Sequence, residues 1–153
     1  MVLLLGAASA CGWRLQGTAR LPEVMSVTYV DSADRYSDFN RALQASLTAS
    51  GARMAAVRSD ATAVVHIHKD QSGQRVLSVS ARNTPEEYEV FYKVEYSVSG
   101  RNGELLPLQT LELSRDYSYD EKAVLAKQRE QAILREALAR ELAGLVIRRV
   151  ASL

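Results

Sequence analysis

The chain has a single cysteine, Cys11, in 153 residues, so no disulfide can form within it. No stretch approaches the roughly 20 apolar residues that a membrane-spanning helix needs. Charge of one sign is not in excess either. There are 19 basic and 18 acidic residues, a formal net charge of +1, which gives no reason to expect nucleic acid as a partner. No serine lies in a G-x-S-x-G elbow, and no glycine-rich phosphate loop is present. Histidine is nearly absent. His66 and His68 alternate on an expected strand and could share a face as metal ligands, but no third ligand stands nearby at a recognisable spacing, and a lone H-x-H is a weak signal. The carboxylates of Glu86 and Glu87 fall at a turn and read as solvated. No residue pattern calls for catalysis, a cofactor or a metal.

What is present describes one globular domain. Hydrophobic residues make up 47% and charged residues 24%, an ordinary balance that excludes disorder. A chain of this length buries roughly 70% of its unfolded surface and needs no disulfide to fold.

The first residues are the most informative. Val2 to Ala10 form an apolar run that ends in the small residues Ala8, Ser9 and Ala10, directly before Cys11. An apolar core followed by a small-residue cleavage site is a secretory leader. A cysteine placed immediately after the site is the lipoprotein variant, in which the thiol takes a diacylglycerol thioether. This also gives an unpaired cysteine a purpose. Each buried CH₂ contributes about 0.8 kcal/mol, and stable anchoring takes more than one acyl chain. Residues 1–10 are therefore expected to be a signal peptide, and residues 11–23 the lipidated Cys11 and its tether. Residues 24–153 are expected to form a single periplasmic domain. No Lys or Arg precedes the apolar run, so the expectation includes a truncated or mis-assigned start. Gly12 stands where Asp often signals inner-membrane retention and favours the outer membrane.

Periodicity orders the rest. Val24–Val30 reads as a short strand. Ser37 is a fitting N-cap for a helix with Phe39, Leu43 and Leu47 on one side and Gly51 as its left-handed stop. Ala63–His68 is a second strand, which Arg75–Ala81 either continues or pairs with after a turn at Gly73. The clearest strand is Tyr88–Val98. Tyr88, Val90, Tyr92, Val94, Tyr96 and Val98 share one face, and Glu89, Phe91, Lys93, Glu95 and Ser97 the other. The tyrosine stripe reads as core. Arg101-Asn102-Gly103 predicts a hairpin, with Leu106–Tyr117 returning. Asp120 then caps a helix to about Val150, with Leu134, Leu138, Leu142 and Leu145 on one stripe. The fold class that follows is α+β. Two helices cover one face of a four-stranded sheet, mostly antiparallel or mixed, in a two-layer sandwich.

Several segments carry a resemblance. Cys11-Gly12-Trp13-Arg14-Leu15-Gln16-Gly17, then Leu77-Ser78-Val79-Ser80 with Glu87-Tyr88, then Arg115-Asp116-Tyr117-Ser118-Tyr119-Asp120 leading into Val124-Leu125-Ala126-Lys127 and Glu130, resemble the LptE family of lipopolysaccharide-assembly lipoproteins over nearly the whole chain. The resemblance implies a non-catalytic outer-membrane subunit that plugs and helps assemble an LptD-type β-barrel in a one-to-one complex and contacts lipopolysaccharide. It points to Arg82 and Lys127 as basic contacts for lipid A phosphates. These two should then lie near each other. Their bland alternative is ordinary solvated charge. Phe91, the one large apolar residue on the polar face of its strand, is either a barrel contact or covered by a helix. The competing function is a membrane-tethered binding module or an activator of an envelope enzyme.

Overall fold

The computed structural model describes residues 20–119 and 124–153. The expected signal peptide, Cys11, most of the tether and the expected helix cap Asp120 lie outside the described residues. The chain enters through a single 3-10 turn, Glu23–Met25, then forms β1 (Val27–Ser32), α1 (Asp38–Ala49), β2 (Arg53–Met54), β3 (Ala63–Val79), β4 (Pro85–Gly100), β5 (Gly103–Ser118) and α2 (Val124–Val150).

The sheet has five strands in the order β2-β1-β3-β4-β5, not the four expected. It is mixed. β1 runs parallel to both β2 and β3, while β3, β4 and β5 pair antiparallel. The additional strand, β2, has only two residues, too few to carry a period of two. Leu21, inside the expected tether, packs against the core.

α1 begins and ends as its residues dictate. The Ser37 hydroxyl accepts a hydrogen bond from the Asn40 amide at 3.0 Å. Gly51 takes φ 96°, and the amides of Gly51 and Ala52 donate to the carbonyls of Thr48 and Leu47, the two bonds of a Schellman stop. In β1, Val27 and Tyr29 alternate with polar or small neighbours, yet the buried side is the other one. Thr28 and Val30 face the core, not Val27 and Tyr29. Thr28 is tolerated there because its hydroxyl donates to the Met25 carbonyl at 2.7 Å.

β3 is one continuous strand, and Gly73 is not a turn. A bulge between Ile67 and Lys69 inserts His68 and reverses the phase of the strand as far as Val76, after which the register shifts again between Val76 and Ser78 and between Ser78 and Val79. Before the bulge Ala63, Val65 and Ile67 share the face of Val98 and Tyr96. After it Asp70, Ser72, Gln74 and Val76 do so, opposite Val94, Tyr92, Val90 and Tyr88. β1 stops at Ser32, opposite Ile67. The remaining twelve residues of β3 extend with β4 and β5 as a three-stranded arm of roughly 40 Å.

Both helices lie on one face, in contact with each other. The core joins Phe39, Leu43 and Leu47 of α1, the Val90-to-Val98 stripe of β4, and Leu138, Ala139, Leu142, Ala143, Val146 and Val150 of α2. The alanines let α2 approach closely. Leu134 and Leu145 are only partly buried. Arg135 of α2 reaches back to Asp38 at the start of α1, 2.7 Å away.

Candidate functional site

The sheet face away from the helices carries no covering layer among the described residues. Its side chains follow from the register, in rows across three strands. Lys69, Glu95 and Thr110 form one row. Gln71, Lys93 and Glu112 form the next, then Gly73, Phe91 and Ser114, then Arg75, Glu89 and Asp116. Arg75 pairs with Glu89 and lies 3.4 Å from Glu112, and Lys93 pairs with Glu95 at 3.0 Å. Hydrogen bonding to Arg75 holds the Glu89 carboxyl below the usual carboxylate range, and Lys93 does the same for Glu95.

Phe91 sits in the middle of this lattice. Neither described helix covers it, since both lie on the opposite face. Its ring instead closes over Gly73, and the Arg75 guanidinium stacks on it, 5.0 Å from the centroid. Toward the other end of the face, His66 lies between Asp31 (3.3 Å) and the Ser99 hydroxyl (2.9 Å). His68 meets the Ser97 hydroxyl at 2.8 Å. Among the described residues no group of three or more His, Cys, Asp or Glu is arranged to hold a metal.

A second feature occupies the far end of the arm. The β3–β4 connection places Arg82 in an exposed tip held by Ser80, whose hydroxyl accepts from the Arg82 and Thr84 amides. Asn83 takes φ 59° there. Below the tip, Tyr88 stacks on Tyr117 at 5.8 Å and meets Tyr119 edge-on at 5.3 Å. Lys127, one turn into α2, lies 5.9 Å over the Tyr117 ring and pairs with Glu130 at 2.9 Å. Arg82 and Lys127 are thus at the same end of the sheet, but they differ in kind. Arg82 is open to solvent, whereas Lys127 is mostly covered and already paired. Around them Val76, Leu77, Val79, Val124 and Leu125 are exposed apolar side chains.

Sequence reasoning missed Tyr119 and this aliphatic rim. The available signal was the cross-strand register: Tyr88 opens the inward stripe of β4, and Tyr117 closes that of β5. It also missed Asp70, which the bulge turns toward the helix layer. There Asp70 accepts from the Ser37 hydroxyl at 2.5 Å and from the Tyr92 hydroxyl at 2.7 Å, and the Tyr92 oxygen accepts from the Phe39 amide at 3.2 Å. Burial, then the Asp70 carboxylate, raise the Tyr92 phenol well above its ordinary pKa.

Comparison with known proteins agrees with this architecture. The chain is 24% identical over 156 residues to the LPS-assembly lipoprotein LptE of Yersinia enterocolitica, covering 98% of this chain and 74% of that protein. It is 25% identical over 154 residues to LptE of Pectobacterium atrosepticum, covering 97% and 83%. Among solved structures, a lipoprotein B of Nitrosomonas europaea superposes with a TM-score of 0.75 at 22% identity, over 92% of this chain and 91% of that one. Rare lipoprotein B of Shewanella oneidensis superposes with a TM-score of 0.71 at 25% identity, over 82% and 94%. The sequence profile of the family LptE, described as lipopolysaccharide-assembly, matches residues 25–150. The chain belongs to the LptE family of lipopolysaccharide-assembly proteins.

Proposed function

We propose that this protein is a non-catalytic subunit of the lipopolysaccharide translocon, held at the periplasmic face of the outer membrane by lipidated Cys11. In this reading it plugs and helps assemble an LptD-type β-barrel in a one-to-one complex. The observation that carries the reading is the uncovered polar face of the sheet. A barrel lumen is lined with polar and charged side chains, and a plug must offer it a surface that can hydrogen-bond. The lattice of Lys69, Lys93, Glu95, Glu112, Arg75 and Glu89 is such a surface. Phe91, packed on Gly73, contributes a half-buried apolar spot at its centre and is the proposed point of apolar contact with the barrel wall.

The far end of the arm suits the second part of the role. Lipid A joins phosphates to acyl chains, and the tip offers the solvent-exposed guanidinium of Arg82 among exposed aliphatic side chains. Arg82 grips a phosphate through two parallel hydrogen bonds. Lys127 adds positive charge from its perch on Tyr117, and it must loosen from Glu130 to do more. Copurification from detergent-solubilised membranes tests the whole reading. An outer-membrane barrel in equimolar amount is the expected companion. A cell-wall enzyme in its place, or no companion at all, would overturn it.

A further inference from the structure

The outer edge of β5 is guarded at one end and open at the other. A sheet edge with free backbone N–H and C=O groups is a template for another strand. Proteins blunt such edges with proline, lysine or a bulge. In β5 those devices are confined to the end near the β4 hairpin. Pro107 stands there, beside a register irregularity opposite Tyr96 and Val98. From Thr110 to Ser118 there is no Pro, Gly or Lys, the register with β4 is unbroken, and no described strand pairs with the far side.

The charge of this stretch narrows what can lie against it. On the open face β5 presents Thr110, Glu112, Ser114, Asp116 and Ser118, with no cation among them. Its one cation, Arg115, faces the helix layer and is paired with Glu141 at 2.9 Å. A second copy is therefore a poor occupant. Any in-phase β5–β5 pairing sets acids and hydroxyls against acids and hydroxyls, and directly opposed like charges are destabilising. A heterologous strand with cations opposite Glu112 and Asp116 fits.

We infer that Thr110–Ser118 is a strand-addition site for an extended segment of the barrel partner, one bearing Lys or Arg at two positions four residues apart. The inference rests on the barrel complex proposed above. It adds the surface used, the backbone pairing and the charge pattern of the occupant.

The test is photocrosslinking in cells from Thr110, Glu112, Ser114 and Asp116, one at a time, in the full lipidated chain. The adducts are mapped by mass spectrometry, and barrel copurification is followed in parallel. The expected result is adducts within a single barrel segment, advancing two residues for each two-residue step along β5 and flanking Lys or Arg. Each opposite-charge cross-strand pair contributes a factor of roughly 1.4 to 5. Glu112→Lys with Asp116→Lys should therefore lower adduct yield at Thr110 and Ser114 by at least roughly two- to thirtyfold at a temperature where the purified variant is folded, its melting point being lowered because Lys at 112 stands opposite Lys93 and beside Arg75. Scattered adducts, adducts to a second copy, or yields indifferent to charge reversal overturn the inference while copurification of the barrel leaves the complex standing. Loss of the barrel from wild-type preparations overturns the complex, and the inference with it.

Discussion

The ring of Phe91 lies across Gly73 on the neighbouring strand, so close that a Cβ built on the glycine would stand 2.8 Å from Cζ. Glycine in mid-strand leaves a groove in the sheet and costs about 0.5–1 kcal/mol relative to alanine. Here the aromatic fills the groove. The pair predicts a change of sign. Gly73→Ala in the wild type must displace the ring and should be neutral or destabilising by up to about 1 kcal/mol. In a Phe91→Ala background the same change should stabilise by about 0.5 kcal/mol or more. Urea unfolding of the four proteins measures the coupling, and additive effects would show that ring and glycine are independent.

Tyr92 joins three elements through one oxygen: β3 at Asp70, α1 at the Phe39 amide, and its own strand. Tyr92→Phe removes a donor and an acceptor from largely buried partners and should cost about 1–3 kcal/mol. The pH dependence has a definite sign. Burial first raises the pKa of Tyr92, Tyr96 and Tyr117, so the native state holds these protons more tightly than the unfolded chain does. That contribution is complete below the unfolded tyrosine value, roughly 10, and is lost as pH climbs from there through the folded values. Unfolding free energy should therefore fall above about pH 10, and less steeply in Tyr92→Phe. An unchanged slope would show that Tyr92 does not dominate it.

Cys11→Ala should leave a domain that folds but no longer fractionates with the outer membrane. Among the described residues the packed core begins at Leu21, ten positions after Cys11 in the sequence. Mass spectrometry of the mature wild-type N-terminus checks the premise directly. A chain that begins elsewhere, or a Cys11 without acyl groups, sinks the idea.

Arg82 and Lys127 should respond differently. Arg82→Asp alters an exposed tip and should weaken lipopolysaccharide binding without changing the melting point. The loss should shrink as salt rises, because exposed charges are screened beyond about 10 Å at 0.1 M. Lys127→Asp would place a carboxylate beside Glu130 and strip Tyr117 of its cation, so about 1 kcal/mol of destabilisation should accompany any loss of binding. Lys127→Gln avoids the new repulsion and isolates the charge. Binding by folded Arg82→Asp/Lys127→Gln at the wild-type level would remove this pair from the contact.

The parts of the fold that were legible are those where one residue pattern met one environment. Eleven residues of unbroken alternation placed β4 with its faces. Ser37 and Gly51 bounded α1 because capping is local chemistry. The sheet's fifth strand was illegible because Arg53 and Met54 are held by the register of β1, not by any pattern of their own. β3 read as two pieces because the bulge shifts its phase, and a glycine in mid-strand looks like a turn until its aromatic partner is known. At the candidate site, it was the family resemblance, not any residue pattern, that singled out Arg82 and Lys127 and expected them near each other. The pairing of Lys127 with Glu130 follows from i,i+3 helix spacing and was open to reading, whereas its cover was not, since Tyr117 is brought to it by tertiary packing.

The extra residue in β3 has a consequence for how this sequence can drift. A change of side chain at position 68 touches the Ser97 hydroxyl and the neighbouring His66 ring. Loss of the residue altogether would reverse every later position of the strand as far as Val76. Lys69, Gln71 and Arg75 would turn in among the helices, and Asp70, Ser72 and Gln74 would turn out. Length at this point is therefore constrained far more tightly than identity. Loops such as 55–60 and 80–84 can gain or lose a residue and conceal it, whereas a gap at 68 in a relative's alignment would signal an arm with its two sides exchanged.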